Sequence, residues 1–374
     1  MNNILVFCSN STVALQIYAY HKTKQKKNFY LFIVENNFQT KKVLKILKNF
    51  KHKEIHIIRS IYRPIFFSLR NWNRFRQIIS KNLKIKNYLI NFLKKRKINK
   101  YNFEEVWFTN DNFSKVYLNK QDIKKVYFCH ALSEVLIFQN KNSFLNFIIH
   151  NLHSLINNTF FNIFKTNAYN VKIVSIFNNF LKINKSNKIN TRIFKKSFED
   201  CYFCNINKNL KKKKIELINI TIPNKNSGYT SKIINNYINF FINDICREII
   251  SNKKNIYIFK FKDLVPKNTR VSIINKIKNK YLLYNIILFN ENLVGTDSLE
   301  CFAKNYNVVN YYSHFTSSFY LFKILNKNIK FFDFSNRIQR YWEKEKSNLK
   351  YMHQQNNLNL KKTIILYKKI WKVL

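Results

Sequence analysis

The sequence is nearly devoid of glycine and proline, with 2 Gly and 3 Pro in 374 residues. Because glycine makes up about 7% of an average protein, a chain of this length would normally contain about 26 glycines. Gly228 and Gly295 alone cannot form the glycine-rich loop of P-loop proteins or the GxGxxG turn of dinucleotide-binding enzymes. The chain is therefore not an ordinary member of either class.

Acidic residues are also scarce, since 19 Asp and Glu stand against 67 Lys and Arg, a formal net charge of +48. The abundance of Lys, Asn, Ile, Phe and Tyr points to an AT-rich genome, which accounts for part of this charge. Such a surface attracts phosphates, acidic glycans, nucleic acid and anionic lipid without choosing among them. Composition leaves open whether mutational drift or a selected anionic partner explains the excess.

Signals for zinc binding, secretion and membrane spanning are missing from the sequence. Of the six cysteines, only Cys201 and Cys204 form a CxxC pair, and no second pair completes a zinc site, so all six are interpreted as incidental. The apolar run Ile4 to Cys8 is too short for the core of a signal peptide. No uncharged apolar run reaches the roughly 20 residues of a membrane span. These features predict a cytoplasmic protein.

Short apolar runs alternate with stretches of helical period, which predicts an α/β fold built from parallel sheets. The expected strands of the first half are 4–8, 29–34, 55–58, 106–109 and 126–129, and those of the second half are 215–222, 256–259, 283–289, 308–312 and 329–334. The expected helices are 12–21, 71–97, 230–251, 269–280, 296–304 and 319–326. Two Rossmann-like, doubly wound domains facing a cleft are the simplest account of this pattern.

The predicted boundaries divide the chain into four parts. An N-terminal domain covers 1–165, a basic linker 166–214, a C-terminal domain 215–336 and a helical tail 337–374. Within the first domain, the amphipathic segment 142–165 places His150 and His153 on one helical face. A metal site needs a third ligand that the sequence does not reveal, so a packed or interfacial helix is the simpler interpretation. Such a segment can also lie on a membrane surface.

Candidate functional residues lie where strands end, because ligands of open parallel sheets bind beyond the carboxyl ends of the strands. Ser9 and Asn10 follow the first strand and either cap the next helix or contact a ligand. His130 and Glu134 follow the fifth strand and bring an imidazole and a carboxylate, the usual proton-transfer groups.

The second half carries its own candidates. Lys260 and Lys262 alternate where a strand ends, so they can neutralise a phosphate or remain ordinary solvated positions. Glu300 lies at the start of an expected helix, where an acid is stabilising simply as part of a cap. Ser317 and Ser318 end the loop between an expected strand and helix, where hydroxyls, free amides and the helix dipole can together bind an anion.

Taken in order, these segments resemble the bacterial sialyltransferases and polysialyltransferases of the GT-B type. The resemblance spans residues 3–335 and is carried by NILVFCSNSTVALQIYAYHK, VYFCHALSEVLIF, IYIFKFKDLVPKNTR and TDSLECFAKNYNVVNYYSHFTSS. Two positions depart from the family pattern. Ala131 stands where the family has His-Gly, and Lys260-Phe261-Lys262-Asp263 replaces Lys-x-His-Pro, so Lys262 occupies the place of a histidine that would stabilise the departing nucleotide.

The resemblance implies an inverting transfer of sialic acid, or a related nonulosonic acid, from a CMP-sugar to an acidic glycan or glycolipid of the cell surface, as in capsule or lipooligosaccharide synthesis. It implies Glu134 as the base, with His130 beside it, and Ser317 and Ser318 as ligands of the donor phosphate. Its remaining donor-binding residues are Lys260, Lys262, Glu300, His314, Ser9 and Asn10. No Asp-x-Asp occurs in the chain, so we expect no metal and no other cofactor.

Two other functions fit parts of the sequence. Transferases of CDP-glycerol or another polyol phosphate resemble the same layout from His to the serine pair. A basic nucleic-acid-binding protein would explain the charge, but the chain shows no zinc finger, RNA-recognition signature or continuous basic helix. Nucleic acid is therefore not expected as a partner. An anionic membrane surface is expected as a partner, and it would place the protein at the inner face of the cell membrane.

Overall fold

The computed structural model describes residues 2–24, 27–37, 39–59, 87–109, 113–114, 122–129, 171–175, 186–201, 207–223, 230–250, 255–261, 265–289, 299–314, 322, 325 and 328–345. The chain divides into two compact units, Met1–Tyr202 and Phe203–Leu374. Each unit is built on one parallel sheet. This confirms the prediction of two Rossmann-like, doubly wound α/β domains.

The first unit contains a sheet of seven strands in the order β3-β2-β1-β4-β5-β6-β7. The strands are β1 (Asn2–Cys8), β2 (Asn28–Asn36), β3 (Lys53–Arg59), β4 (Glu105–Phe108), β5 (Lys124–Phe128), β6 (Val171–Ser175) and β7 (Ser186–Lys188). Its helices are α1 (Ser11–His21), α2 (Thr40–Leu47) and α3 (Thr191–Cys201), and residues 87–95 are also helical. The strand order reverses between β1 and β4, so the topological switch point lies between these two strands.

Aromatic side chains fill the core of the first unit. The rings of Tyr20 and Trp107 lie 5.2 Å apart, and Phe50 packs edge-on against both Tyr30 and Phe32. All five side chains are less than 9% exposed. Because each such ring buries a large apolar area, a few of them stabilise a core in which the small residues are rare.

The second unit contains a sheet of five strands in the order β10-β9-β8-β11-β12. The strands are β8 (Ile215–Ile220), β9 (Ile256–Phe261), β10 (Ile286–Leu288), β11 (Val308–Ser313) and β12 (Lys330–Asp333). The helices are α4 (Lys208–Lys211), α5 (Ser231–Phe240), α6 (Cys246–Ile249), α7 (Lys267–Tyr281), α8 (Leu299–Asn305) and α9 (Ser335–Lys344). A π-helical turn, Phe241–Ile245, joins α5 to α6. The switch point of this sheet lies between β8 and β11.

One face of the second sheet is covered by helices and forms a continuous apolar core. Ile218 and Ile220 of β8 and Phe259 of β9 contribute to it from the sheet, and Phe241 and Ile277 contribute from the helical layer. Side chains of a strand alternate between the two faces of its sheet. The residues between these apolar positions, such as Asn219 and Lys260, therefore lie on the opposite face.

The predicted linker 166–214 differs from the structure. This segment contains β6, β7, α3 and α4, and the first compact unit extends to Tyr202 rather than ending at 165. β6 is short and contains Lys172, while β7 reads Ser-Asn-Lys, so neither has the apolar pattern of a strand. β7 is a strand because it pairs with β6 at the edge of the sheet, with Ile173 opposite Ser186.

Other predicted segments are confirmed in the described part of the chain or lie outside it. All ten expected strands are present, and the helices expected over 12–21, 230–251, 269–280 and 296–304 correspond to α1, α5 with α6, α7 and α8. The tail begins with α9 as a helix, and residues 346–374 lie outside the described residues. The amphipathic segment 142–165 also lies outside them. Of the helix expected over 319–326, Phe322 and Leu325 are described, and both are helical.

The cysteines separate into two kinds. Cys8, Cys129, Cys201 and Cys246 are buried free thiols, as expected of cysteines that pack as small apolar side chains. Burial raises the pKa of Cys201 to about 12 and also raises that of Cys246, which keeps both thiols protonated at neutral pH. Cys301 differs, since it is disulfide-bonded, so it does not fit the interpretation of all six cysteines as incidental.

Candidate functional site

A row of polar residues crosses the carboxyl end of the second sheet at its switch point. Ser313 of β11 is in register with Asn219 of β8, which is in register with Lys260 of β9. On the other side of Ser313, Asp333 of β12 continues the row. Residues in register across parallel strands point to the same face. The row therefore presents a hydroxyl, an amide and an ammonium group together.

Hydrogen bonds hold the centre of this row. The Ser313 Oγ donates to the carbonyl oxygen of Asn219 at 3.1 Å, and the Asn219 Nδ2 donates to the Tyr311 hydroxyl at 2.8 Å. These bonds join β8 to β11 on both sides of the switch point. Because the backbone on either side is already paired in the sheet, the row is a rigid platform rather than a set of independent side chains.

Lys260 is the positive group of the row. Its Nζ lies 5.6 Å from the ring centroid of Phe289, which directly follows β10. An ammonium group over an aromatic face is weakly attracted to it. The one carboxylate of the row, Asp333, is two strands beyond Asn219 and accepts a hydrogen bond from the Ser335 amide at 2.9 Å. The carboxylate thus caps the start of α9 while the lysine side of the row is cationic.

His314 lies immediately beyond the end of β11. Its side chain is 6% exposed, and its ring packs 5.2 Å from that of Phe334. The imidazole is therefore fixed beside the polar row, and two residues of chain separate it from Ser317. Ser317, Ser318 and Lys262 lie outside the described residues, so their roles remain predictions. Of the predicted donor-binding residues, the structure brings Lys260 and His314 to the same edge of one sheet.

Glu300 is the second residue of α8, and its side chain lies outside the described part of the chain. The position agrees with an acid in the first turn of a helix. Its part in donor binding remains a prediction.

The backbone amides at the N-terminus of α1 already have hydrogen-bond acceptors within the protein. The Asn10 Oδ1 accepts hydrogen bonds from the amides of Thr12 at 2.8 Å and Val13 at 3.4 Å, and the Gln39 Oε1 accepts one from the Ser11 amide at 2.8 Å. The Asn37 Nδ2 donates to the carbonyl oxygen of Ser9 at 2.9 Å. The capping alternative therefore holds for Asn10, and three amides that an anion would need already have internal partners.

A second polar cluster lies at the carboxyl ends of β4 and β5 in the first unit. Gln16, which is fully buried on α1, donates from Nε2 to the carbonyl oxygen of Cys129 at 2.8 Å. The Gln16 Oε1 and the Oγ1 of Thr109 are buried and make no hydrogen bond among the residues that the structure describes. Cys129 directly precedes His130. His130 and Glu134 lie outside the described residues, so the catalytic roles expected of them remain predictions.

Sequence reasoning missed several members of these clusters. Asn219 lies inside an expected apolar run and Gln16 inside an expected helix, while Ser313 begins the expected polar turn after residue 312. One signal was available for Asn219 and Gln16, since each is a polar residue inside a segment whose neighbouring positions are buried. Buried polar groups need partners, so an isolated polar residue in an apolar run marks a place where strands or helices exchange hydrogen bonds.

Among the described residues, no group of three or more His, Cys, Asp or Glu side chains comes together as a metal site. No helix within that same part of the chain is long and apolar enough to cross a bilayer.

The chain is similar to known proteins in its structure and not in its sequence. No protein-family model matches the chain, and no curated protein is similar to it in sequence. Among solved structures, the chain is similar to Staphylococcus aureus MnaA with UDP, at 10% identity and a TM-score of 0.46 over 84% of this chain and 74% of that one.

Two other similar structures bind nucleotide sugars. The Neisseria meningitidis UDP-GlcNAc 2-epimerase bound to UDP-GlcNAc is 11% identical, with a TM-score of 0.42 over all of both chains. Phytolacca americana UGT2, complexed with UDP-2fluoro-glucose and pterostilbene, is 9% identical, with a TM-score of 0.47 over 89% of this chain and 80% of that one. At this degree of similarity the fold assignment rests on the strand order of the chain itself, which is that of two doubly wound parallel α/β units.

Proposed function

We propose that the protein is a glycosyltransferase that uses a nucleotide-sugar donor. The observation that carries this proposal is the polar row Ser313–Asn219–Lys260 at the switch point of the second sheet. In doubly wound sheets, nucleotides bind at this edge because backbone and side-chain donors converge there. Lys260 supplies positive charge for a donor phosphate, and His314 lies beside the row at the end of β11.

The donor that we propose is CMP-linked sialic acid or a related nonulosonic acid. The support for this finer assignment is the resemblance to bacterial sialyltransferases, which covers both the Lys260 strand and the segment from His314 to the serine pair. Ser317 and Ser318 would add hydroxyl donors to the phosphate. Lys262 would replace the missing histidine of the Lys-x-His-Pro motif as a fixed positive charge.

The proposed reaction is a single displacement with inversion. Glu134 takes the proton of an acceptor hydroxyl, the hydroxyl oxygen forms a bond to the anomeric carbon, and the bond from that carbon to the phosphate oxygen breaks. CMP leaves with the electron pair. Lys260 and Lys262 stabilise the negative charge that develops on the phosphate, and His130 orients the acceptor beside Glu134. No metal is needed in this scheme because the cationic side chains perform that task.

A basic surface suits the partners of this reaction, which are an acidic donor and an acidic glycan or glycolipid. We therefore also propose that the protein acts in the cytoplasm, at the inner face of the membrane where surface polymers are assembled. The net charge of +48 supports attraction to such partners and does not select among them.

The test is donor turnover measured as CMP release from CMP-sialic acid. We expect turnover by the native protein in the presence of EDTA, and a decrease in kcat of about 100-fold or more in Glu134→Gln. The control variant Glu199→Gln removes an exposed carboxylate from α3 and should retain the native rate. Equal rates for Glu134→Gln and native protein would remove Glu134 from the mechanism.

A nucleotide panel in a thermal-shift assay tests the donor separately. We expect CMP to stabilise the protein more than CDP or UDP does. Stabilisation by CDP and not by CMP would overturn the sialyl proposal in favour of a polyol-phosphate transferase. Tight binding of random RNA at moderate salt, with no effect of any nucleotide, would overturn both.

A further inference from the structure

Two large apolar side chains are almost fully exposed where α7 turns into β10. Leu282 is 83% exposed and Tyr284 is 96% exposed, the two highest values among the exposed large hydrophobic residues that the structure describes. Three lysines, Lys276, Lys278 and Lys280, precede them on the last turns of α7. These five residues are called the α7–β10 corner below.

The backbone holds the corner in one geometry. Leu282 ends α7 in the left-handed conformation, with φ 51° and ψ 43°, and the next amide, that of Leu283, donates to the Lys278 carbonyl oxygen at 3.3 Å. This helix ending favours Gly or Asn, because a larger side chain strains the left-handed conformation. A leucine here is both strained and exposed, so neither packing nor backbone geometry explains it.

Neighbouring side chains anchor the turn to the rest of the unit. Leu283 and Ile286 are buried on either side of Tyr284. The Tyr281 hydroxyl donates to the carbonyl oxygen of Ile242 at 2.6 Å, which ties the end of α7 to the π-helical turn. Leu282 and Tyr284 therefore project outward from a fixed support.

The charge around the corner has one dominant sign. Residues 265–289 contain five Lys and Arg residues and no Asp or Glu. On the adjacent helical segment, Asp244 and Arg247 lie near Tyr281 and offset each other, and Glu248 pairs with Arg337. Because the corner's lysines have no equal number of acids near them, the corner is net positive.

We propose that the α7–β10 corner docks on an anionic membrane surface. Leu282 and Tyr284 would enter the boundary between headgroups and acyl chains, where an aliphatic and an amphipathic aromatic side chain are both favoured. Lys276, Lys278 and Lys280 would contact lipid phosphates. A second copy of the chain fits less well, because it would bring a like-charged corner against this one. Nucleic acid would use the lysines but would leave the leucine unexplained.

The test is co-sedimentation of the full chain with vesicles of phosphatidylcholine alone or with phosphatidylglycerol added, at physiological salt. We expect binding only to the anionic vesicles. Each removed lysine should weaken partitioning about fivefold, which follows from about 1 kcal/mol per Lys near an anionic surface. The triple variant Lys276→Gln, Lys278→Gln, Lys280→Gln should therefore lose roughly 100-fold.

A matched control removes the same charge elsewhere. Lys41→Gln, Lys45→Gln, Lys51→Gln changes three exposed lysines that belong to the first unit and not to the corner, and should bind vesicles within about twofold of native protein. The double variant Leu282→Asn, Tyr284→Asn keeps every charge and suits the left-handed turn. It should fold with at least native stability and lose about tenfold or more in vesicle binding.

Native binding by the double variant would overturn the proposal, as would equal losses in the two triple variants. Loss of a dimer from native protein in the double variant, with unchanged vesicle binding, would instead assign the corner to self-association. Vesicle binding does not depend on the nucleotide, so this proposal and the proposed glycosyl transfer can fail separately.

Discussion

The side chain of Gln16 in α1 reaches the carbonyl oxygen of Cys129 at 2.8 Å, in a fully buried hydrogen bond across 113 residues of sequence. That carbonyl belongs to the peptide unit that joins Cys129 to His130. Helix α1 thereby fixes the point at which the chain leaves β5 and enters the segment of the predicted base. Gln16 is a positioning residue in this view, and it acts through the backbone.

Replacing Gln16 by leucine is expected to destabilise the protein. Gln16→Leu leaves the Cys129 carbonyl oxygen buried without this donor, which should lower the free energy of unfolding by about 1–3 kcal/mol. Urea unfolding followed by far-UV circular dichroism measures the change. If the positioning role is correct, kcat for donor turnover should fall while KM for the donor changes little. A purely structural role predicts the stability loss with kcat unchanged.

Removing the hydroxyl of Thr109 should not lower the stability of the protein, in contrast to replacing Gln16. The Thr109 Oγ1 is buried at the end of β4 and makes no hydrogen bond among the described residues, so the hydroxyl carries a desolvation cost without compensation. Thr109→Val keeps the shape and removes the hydroxyl, and should leave the protein as stable as before or about 1 kcal/mol more stable. The same urea titration is suitable. A loss of stability would show that the hydroxyl has a partner.

Replacing Asn10 tests the side-chain cap at the N-terminus of α1. Asn10→Ala removes the acceptor of the Thr12 and Val13 amides and should cost about 1 kcal/mol in thermal or urea unfolding. Asn10→Asp retains an acceptor at the same position and should remain close to native stability. If Asn10 also contacts a ligand, Asn10→Asp would lower nucleotide affinity even though the fold is intact.

The histidine at the end of α1 should make stability depend on pH. Burial, and then the nearby charge of Lys22, lower the pKa of His21, whose ring nitrogen Nδ1 lies 2.8 Å from the Tyr30 hydroxyl. The unfolded chain, with a histidine pKa of about 6.5, therefore binds a proton that the folded protein resists. The neutral, buried His21 therefore adds to the free energy of unfolding. This added stability is fully present above a pH of about 6.5 and is lost as the pH falls through the lowered pKa of the folded state.

Unfolding free energies measured from about pH 5 to 7 test this expectation. His21→Gln should show a smaller rise in stability across that window than native protein does. His52→Gln, which changes an exposed histidine, should keep the native pH profile. Identical profiles for His21→Gln and native protein would contradict the assignment.

Lys260 carries the most direct prediction for the polar row. Lys260→Gln removes the ammonium group proposed to pair with the donor phosphate, so affinity for CMP should fall about 10- to 100-fold, as expected for a charge-assisted hydrogen bond. Isothermal titration calorimetry gives the value. Lys232→Gln removes an exposed lysine of α5 and should bind CMP like native protein. Equal affinities for the two variants would move the phosphate site away from β9.

Much of this fold was predictable because most strands carry a local signal. Apolar runs predict ten of the twelve described strands, all except β6 and β7, to within a few residues, and helical spacing predicts α1 and α7. β6 and β7 were not predictable, since Val171–Ser175 is short and interrupted by a lysine and Ser186–Lys188 has no apolar residue. Pairing at the sheet edge makes them strands, and pairing is a long-range property.

The candidate site shows the same division. Lys260 and His314 could be picked out because each stands where an apolar run ends. Asn219 and Ser313 could not, because their importance comes from cross-strand register, which places residues separated by 94 positions at one hydrogen bond. Gln16 was hidden for the same reason.

Composition and periodicity by themselves determined that this chain is a cationic α/β protein without glycine-rich nucleotide loops and with two series of strands. These properties follow from local preferences, which act over a few residues. Tertiary structure alone decided the strand orders, the extent of the first unit, the polar row at the second switch point and the outward position of Leu282 and Tyr284. Those features depend on which distant segments pack together, so the free energy that selects them is a property of the whole fold.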